Sequence, residues 1–250
     1  MGSTRGIGRR IAEVLGQEGA DVAVCGRDKD GADALAKSIS DENGVATHSY
    51  QLDLNDPVSV KAMIADIEGD FGALDIIIAN GGGPPPGGVA GVSMETWEAQ
   101  FRPMFLSQVE IVNAFLPGMR ERGWGRIVVT SSSGAVQPIP HLGISNTLRA
   151  SLMLWAKSLA LEIAADGVTV NTVLPGRIQT DRVNQIDEAA AKAQGKDVEQ
   201  IKVESRATIP MKRYGSADEY ARMAVFLASE GASYVTGTII PVDGGFIKGI

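Results

Sequence analysis

The chain is poor in the residues that build cross-links and metal sites: one cysteine, Cys25, and two histidines, His48 and His141, among 250 residues. A single cysteine closes no disulfide within the chain, and a free thiol suits a reducing compartment. Cys25 lies in an apolar run and reads as a buried strand cysteine. So few soft ligands exclude a transition-metal centre of the usual kind. No uninterrupted apolar stretch approaches the roughly 20 residues that cross a bilayer, so no membrane partner is expected. Nor is there a basic run. With 23 Lys and Arg against 30 Asp and Glu, the net charge of −7 argues against a nucleic-acid partner. Internal repeats and linkers are also missing, and the GGGPPPGG piece at 81–88 is too short to separate domains. The expectation is one α/β domain over residues 1–250, in the cytoplasm, with an apolar content of 44% that suffices for a sizeable core.

What is there begins at once with Gly2-Ser3-Thr4-Arg5-Gly6-Ile7-Gly8, a glycine-rich turn. Ile7, Ile11, Val14 and Leu15 follow at helical spacing, so the turn feeds an amphipathic helix. Glycines let the backbone approach a ligand closely, and the free N–H groups of a helix start suit a pyrophosphate. Beyond it, β-branched runs alternate with helical patterns. Strands are predicted over 21–26, 45–52, 74–79, 127–131, 168–174 and 238–242. Helices are predicted over 28–40, 56–70, 94–122 with bends near Pro103 and Pro117, 144–165 and 216–229. The polar, aromatic-free segment 181–207 reads as helices lying loosely outside the core, and Met153 and Trp155 as residues that pack on a neighbour, such as another subunit. Strand–helix alternation of this kind means a doubly wound parallel sheet with any ligand at the strands' carboxyl edge.

In that order, the chain resembles the short-chain dehydrogenase/reductase family along nearly its full length, and 3-oxoacyl-carrier-protein reductases most. Four motifs carry the likeness: Gly2–Gly8 (GSTRGIG), Asn80-Gly81-Gly82 in place of the family's Asn-Ala-Gly, Pro175-Gly176 with Thr180, and Val235–Gly245 (VTGTIIPVDGG). The resemblance implies a Rossmann-type sheet with strand order 3-2-1-4-5-6-7, and a homotetramer or homodimer. It also implies a first strand immediately ahead of Gly2, where this sequence has Met1 alone. The expectation is a native start further upstream or a shortened chain. As it stands, the flanking strands would face each other across roughly 10 Å, twice the strand spacing, with unpaired edges in a buried centre.

An acid after the 21–26 strand would hold an adenosine ribose diol and repel a 2′-phosphate. This sequence has Gly26-Arg27 there, and Arg5 within the glycine turn. Two guanidiniums favour NADP(H) over NAD(H) through forked, charge-assisted bonds, unless they are solvated surface residues. By resemblance, Asp53 and Leu54 border the adenine, Asn80 and Gly81 the ribose, and Pro175, Gly176 and Thr180 the remainder of the cofactor; Asp53 also reads as a plain strand-end turn residue.

The family pairs hydride transfer with a Tyr acid, a Lys four residues on, a Ser that binds the carbonyl oxygen and an Asn that holds a water. Here the Ser position is Ser132, but the Tyr position is Ser145, the Lys position Arg149 and the Asn position Met104. A serine hydroxyl is a far weaker acid than a phenol of pKa about 10. An arginine cannot shuttle a proton, though it can bind a nicotinamide ribose or an anionic substrate. Tyr50, Tyr214, Tyr220 and Tyr234 all lie far off in sequence. His141 is the titratable candidate for a general acid, or else an exposed loop residue. Ser131, Ser132 and Ser133 lack a base and a strand–Ser–helix elbow, which excludes a serine hydrolase. Two functions follow: an NADP(H)-dependent oxidoreductase acting on a small-molecule carbonyl or alcohol, 3-oxoacyl thioesters included, or a catalytically silent nucleotide-binding protein.

Overall fold

The computed structural model describes residues 1–249. Its strands form where the β-branched runs stand. Val22–Gly26 (β1) pairs in parallel with Thr47–Gln51 (β2). Ile76–Ala79 (β3), Gly125–Thr130 (β4), Val168–Pro175 (β5) and Ile239–Val242 (β6) form a second parallel sheet in that order. Every residue of β4 and all but the last of β5 are buried, the pattern of strands covered on both faces.

Helices start where the sequence supplies caps. Asp28 accepts from Gly31 N–H ahead of Lys29–Asn43 (α2), and Asp56 from Val58 N–H ahead of Pro57–Phe71 (α3). Ser216 and Glu219 cap Ala217–Leu227 reciprocally. One face of the first helix, Gly6–Gln17 (α1), carries Ile11 and Val14 into a cluster with Tyr220, Ala221 and Ala224 of that last helix. The 94–122 stretch divides into Met94–Phe101 (α4), a π turn at Arg102–Leu106 and Ser107–Arg122 (α5). The bend at Pro103 thus takes the form of a π turn. Pro117 lies inside α5, and both it and Asn113 are exposed, so water can take the Asn113 carbonyl that the proline, lacking an N–H, leaves without a helical donor.

The sheet is divided where a strand ahead of Gly2 would lie, as expected of this sequence: β1 and β3 do not pair. Only the first residues span the interval. The Met1 amino group donates to Ile78 O (3.1 Å), Ser3 N–H donates to Cys25 O (2.7 Å), and Ser3 Oγ accepts from Cys25 N–H (3.2 Å). Behind this bridge lies a partly open apolar cavity of about 100 Å³, with Ala23, Ile67, Ile76 and Phe115 among its walls. Burial here lowers the pKa of the Met1 amine and raises that of the Cys25 thiol. The 181–207 segment is not loose. It forms Asp181–Gln194 (α7) and Val198–Ala207 (α8), and Val183 joins Ile209, Tyr214 and Phe246 in a small core. Within α7 the fully buried Asp187 accepts from Arg177 Nη1 (2.7 Å) and Tyr214 OH (2.9 Å). Trp155 packs inside its own chain, edge-on to Phe105 at 6.4 Å between ring centres.

Candidate functional site

The carboxyl ends of the strands gather the motif residues. At α1 the turn is drawn tight: Gly2 has φ +60°, and a Cβ on Gly8 would overlap the Gly2 carbonyl oxygen. Asn80 Nδ2 donates to the carbonyls of Met1 (3.2 Å) and Gly2 (3.4 Å), so its amide N–H groups hold the turn rather than stand free for a ribose. Thr180, just ahead of α7, closes the other side, with Cγ2 3.6 Å from where a Gly6 Cβ would stand. Unlike α2 and α3, α1 has no side-chain cap, and its first turn carries no acid. Its leading N–H groups are therefore left to an anion, with the positive end of the helix dipole behind them. A pyrophosphate fits that cradle.

Around it, Arg5 and Arg27 are exposed and form no ion pair among the described residues. Asp53 is held below its ordinary pKa chiefly by the Asn55 N–H, with Arg27 adding attraction. The Leu54 carbonyl accepts from Ser107 Oγ (2.7 Å), and Gly176 N–H, after Pro175, donates to Val242 O (3.0 Å). Side chains of Leu54 and Gln108 lie 3.2 Å from where a Gly81 Cβ would stand, which keeps that loop close to α5.

On the substrate side, Ser132 Oγ accepts from Gly134 N–H at 3.0 Å. Ser145 lies in the first turn of Gly143–Ile163 (α6), whose start has no side-chain cap and no first-turn acid. Arg149, expected at a ribose or substrate, instead has its guanidinium buried. Nη1 donates to Thr130 O (3.0 Å), and Nη2 donates to Gly81 O (2.7 Å) and Gly82 O (2.8 Å). Burial pulls it down to about 10, partly offset by Tyr220, with no carboxylate beside it among the described residues. Beneath it, Tyr220 arrives from far along the chain, but it is wholly buried and its hydroxyl donates to Val173 O (3.1 Å). Met104 is buried in the π turn against Ile144 and Leu148. The carbonyls of Pro103 and Met104 accept from Gln108 Nε2 (3.3 and 3.0 Å). His141 is exposed, adopts φ +60°, and makes no side-chain hydrogen bond to Ser132 or Ser145 among the described residues.

Three residues at the site were missed from sequence. Arg182 Nη2 donates to Pro84 O (2.9 Å) and lies 3.7 Å from the spot where a Gly83 Cβ would stand; Ser145 Oγ is 3.8 Å from the same spot. Asn146 donates to Ile139 O (2.9 Å) and crowds Gly134 together with Ser132 Oγ. Gln108 is the third. The only sequence signal for Arg182 is a basic residue next to Thr180 with no acid at helical pairing distance ahead of it.

Residues 2–247 match the profile of the family described as enoyl-(acyl carrier protein) reductase. The 3-oxoacyl-[acyl-carrier-protein] reductase FabG of Aquifex aeolicus is 34% identical over 245 residues, 98% of this chain and 94% of the relative. The NADPH-dependent reductase BacG of Bacillus subtilis is 30% identical over 251 residues, 100% of this chain and 97% of the relative. Among solved structures, L-sorbose reductase of Gluconobacter frateurii, complexed with NADPH and L-sorbose, has a TM-score of 0.93 and 32% identity, covering 100% of this chain and 95% of that one.

Proposed function

We infer the activity of this chain from the family it belongs to, the short-chain dehydrogenases/reductases: it is an NADP(H)-dependent oxidoreductase acting on a carbonyl/alcohol pair. The uncapped α1 turn, braced by Asn80 and Thr180, is the observation that carries this reading. The FabG and BacG relatives and the NADPH complex of L-sorbose reductase support it. Arg5 and Arg27, both exposed and unpaired, favour the phosphorylated nucleotide. Bound there, the dinucleotide supplies or accepts a hydride. Ser132 and Ser145 hold the substrate oxygen by their hydroxyls, and water returns the proton, since His141 bonds neither serine. Arg149 is a positioning residue that braces the Gly81–Gly82 loop.

The test is a titration with NADPH and NADH, followed by NADPH oxidation against ketones and 3-oxoacyl thioesters. Tighter NADPH binding is expected, with the preference falling in Arg5→Ala and Arg27→Ala. No binding of either nucleotide, or no turnover on any carbonyl, overturns the reading.

The engagement of Arg149 with three backbone carbonyls favours a second reading, a silent nucleotide-binding protein. Ser145→Tyr with Arg149→Lys would then create an activity that the parent lacks. A parent as active as the double variant removes that reading.

A further inference from the structure

The net charge of the chain is −7, yet the substrate side of the site is positive. Two guanidiniums converge on the Gly81–Pro84 loop, Arg149 from below and Arg182 from α7. Neither has a carboxylate partner among the described residues; Tyr220 favours the charge of Arg149, and Arg182, of the same sign, opposes it. Asp181, the acid next in sequence, is exposed and pairs with neither. Buried or half-buried charges are normally paired, because desolvation is not otherwise repaid. Arg149 gives its charge only to backbone carbonyls. Arg182 uses one N–H, on Pro84 O, of the five that a guanidinium offers. Partial burial lowers the Arg182 pKa with nothing to offset it. The uncapped start of α6, where Ser145 stands, adds the positive end of a helix to the same space.

We propose that Arg182 selects a substrate with a carboxylate, so that the carbonyl compound handled at Ser132 and Ser145 is an oxo acid. Arg182 Nη2 and Ser145 Oγ flank one point at Gly83, which sets the carboxylate beside the hydroxyl that holds the reacting oxygen. The planar fork suits a carboxylate taken by two parallel bonds. Arg149 reinforces the field from beneath without touching the ligand. This inference rests on the oxidoreductase reading, but the residue can be tested apart from it.

Malonate, which carries carboxylates and no reducible carbonyl, is titrated by calorimetry into the protein with and without NADPH. In parallel, kcat/KM is measured for 2-oxo and 3-oxo acids against their methyl esters. A charge-assisted pair gives an expected acid-over-ester preference of about 10- to 100-fold. Arg182→Leu is expected to weaken malonate binding at least about 10-fold and to collapse the preference through KM. Arg182→Lys is expected to keep part of both, and NADPH affinity in each variant shows that the fold persists. Malonate binding that is absent, or equal in wild type and Arg182→Leu, overturns the proposal, as does equal use of acids and esters. Malonate binding that depends on Arg182 without turnover of any carbonyl keeps the anion site and sinks the oxidoreductase reading instead.

Discussion

Replacing Arg149 by methionine tests whether the guanidinium holds the site together. The substitution keeps an unbranched stem and removes the donors to Thr130, Gly81 and Gly82, now at 3.0, 2.7 and 2.8 Å. Hydrogen bonds to a charged group contribute about 1.5–3 kcal/mol, and a buried acceptor left bare costs about 1–3 kcal/mol. Against this stands relief from burying a cation. The fall of Arg149 to about 10 corresponds to roughly 3 kcal/mol that methionine does not carry. Three bonds outweigh that relief, and the net loss is about 2–4 kcal/mol. For a chain of this size that is a drop in Tm of roughly 5–15 °C. Urea unfolding followed by circular dichroism reads it as a lower midpoint with an unchanged slope. Limited proteolysis should at the same time open the 81–88 loop, which the guanidinium ties to β4. Arg149→Lys should fall between the two, since an ammonium has three donors but no fork. A methionine variant within about 0.5 kcal/mol of wild type would refute the reasoning, for the carbonyls would then be served by water.

Gly8→Ala should abolish NADPH binding in a calorimetric titration, because its Cβ has no room against the Gly2 carbonyl. Gly69→Ala, on the exposed face of α3 with nothing within 4 Å, should instead raise stability by about 0.5–1 kcal/mol in the same urea assay. Glu219, held by Arg213 and then by the Ser216 N–H, is depressed to about 2 in the folded chain. The unfolded value is about 4.3, so its stabilising effect is complete above that pH and is lost as pH falls toward 2. Glu219→Gln should flatten the stability profile in that window in acid-titrated thermal melts. Cys25, buried with its thiol pKa raised, should resist a disulfide-exchange reagent in the native state and react at once in urea; fast native labelling would show that β1 opens.

The alternation of strands and helices was legible because each element carries its own period and stop signal. Asp28, Asp56 and Ser216 mark helix starts that the structure keeps. The glycine turn was legible for the same reason: sterics at Gly2 and Gly8 are local. What escaped was whatever depends on partners distant in sequence. Asp187 looked like one more charge on a polar helix, until Arg177 and Tyr214 arrived to bury it. Arg149 shows the same limit, since the carbonyls it holds come from residues 81, 82 and 130. Arg182 gave almost no signal, because the absence of a nearby acid is a fact of space rather than of order.

The exchanges at 145 and 149 make sense together. On the proposed reading, Ser145 and Arg149 stand where the family has a phenol and the lysine that lowers its pKa, and without the phenol a mobile cation at 149 would have no proton to manage. The position is then open to a residue that packs, and the arginine fork fits three carbonyls on two segments that a single ammonium could not span. On that reading rigidity is gained where proton handling is given up, and the uncapped α1 turn is left as it is. The positive charge that stays unspent lies on Arg182, near Ser145, with most of its donors free among the described residues. Such a site would suit a substrate whose own charge helps to hold it.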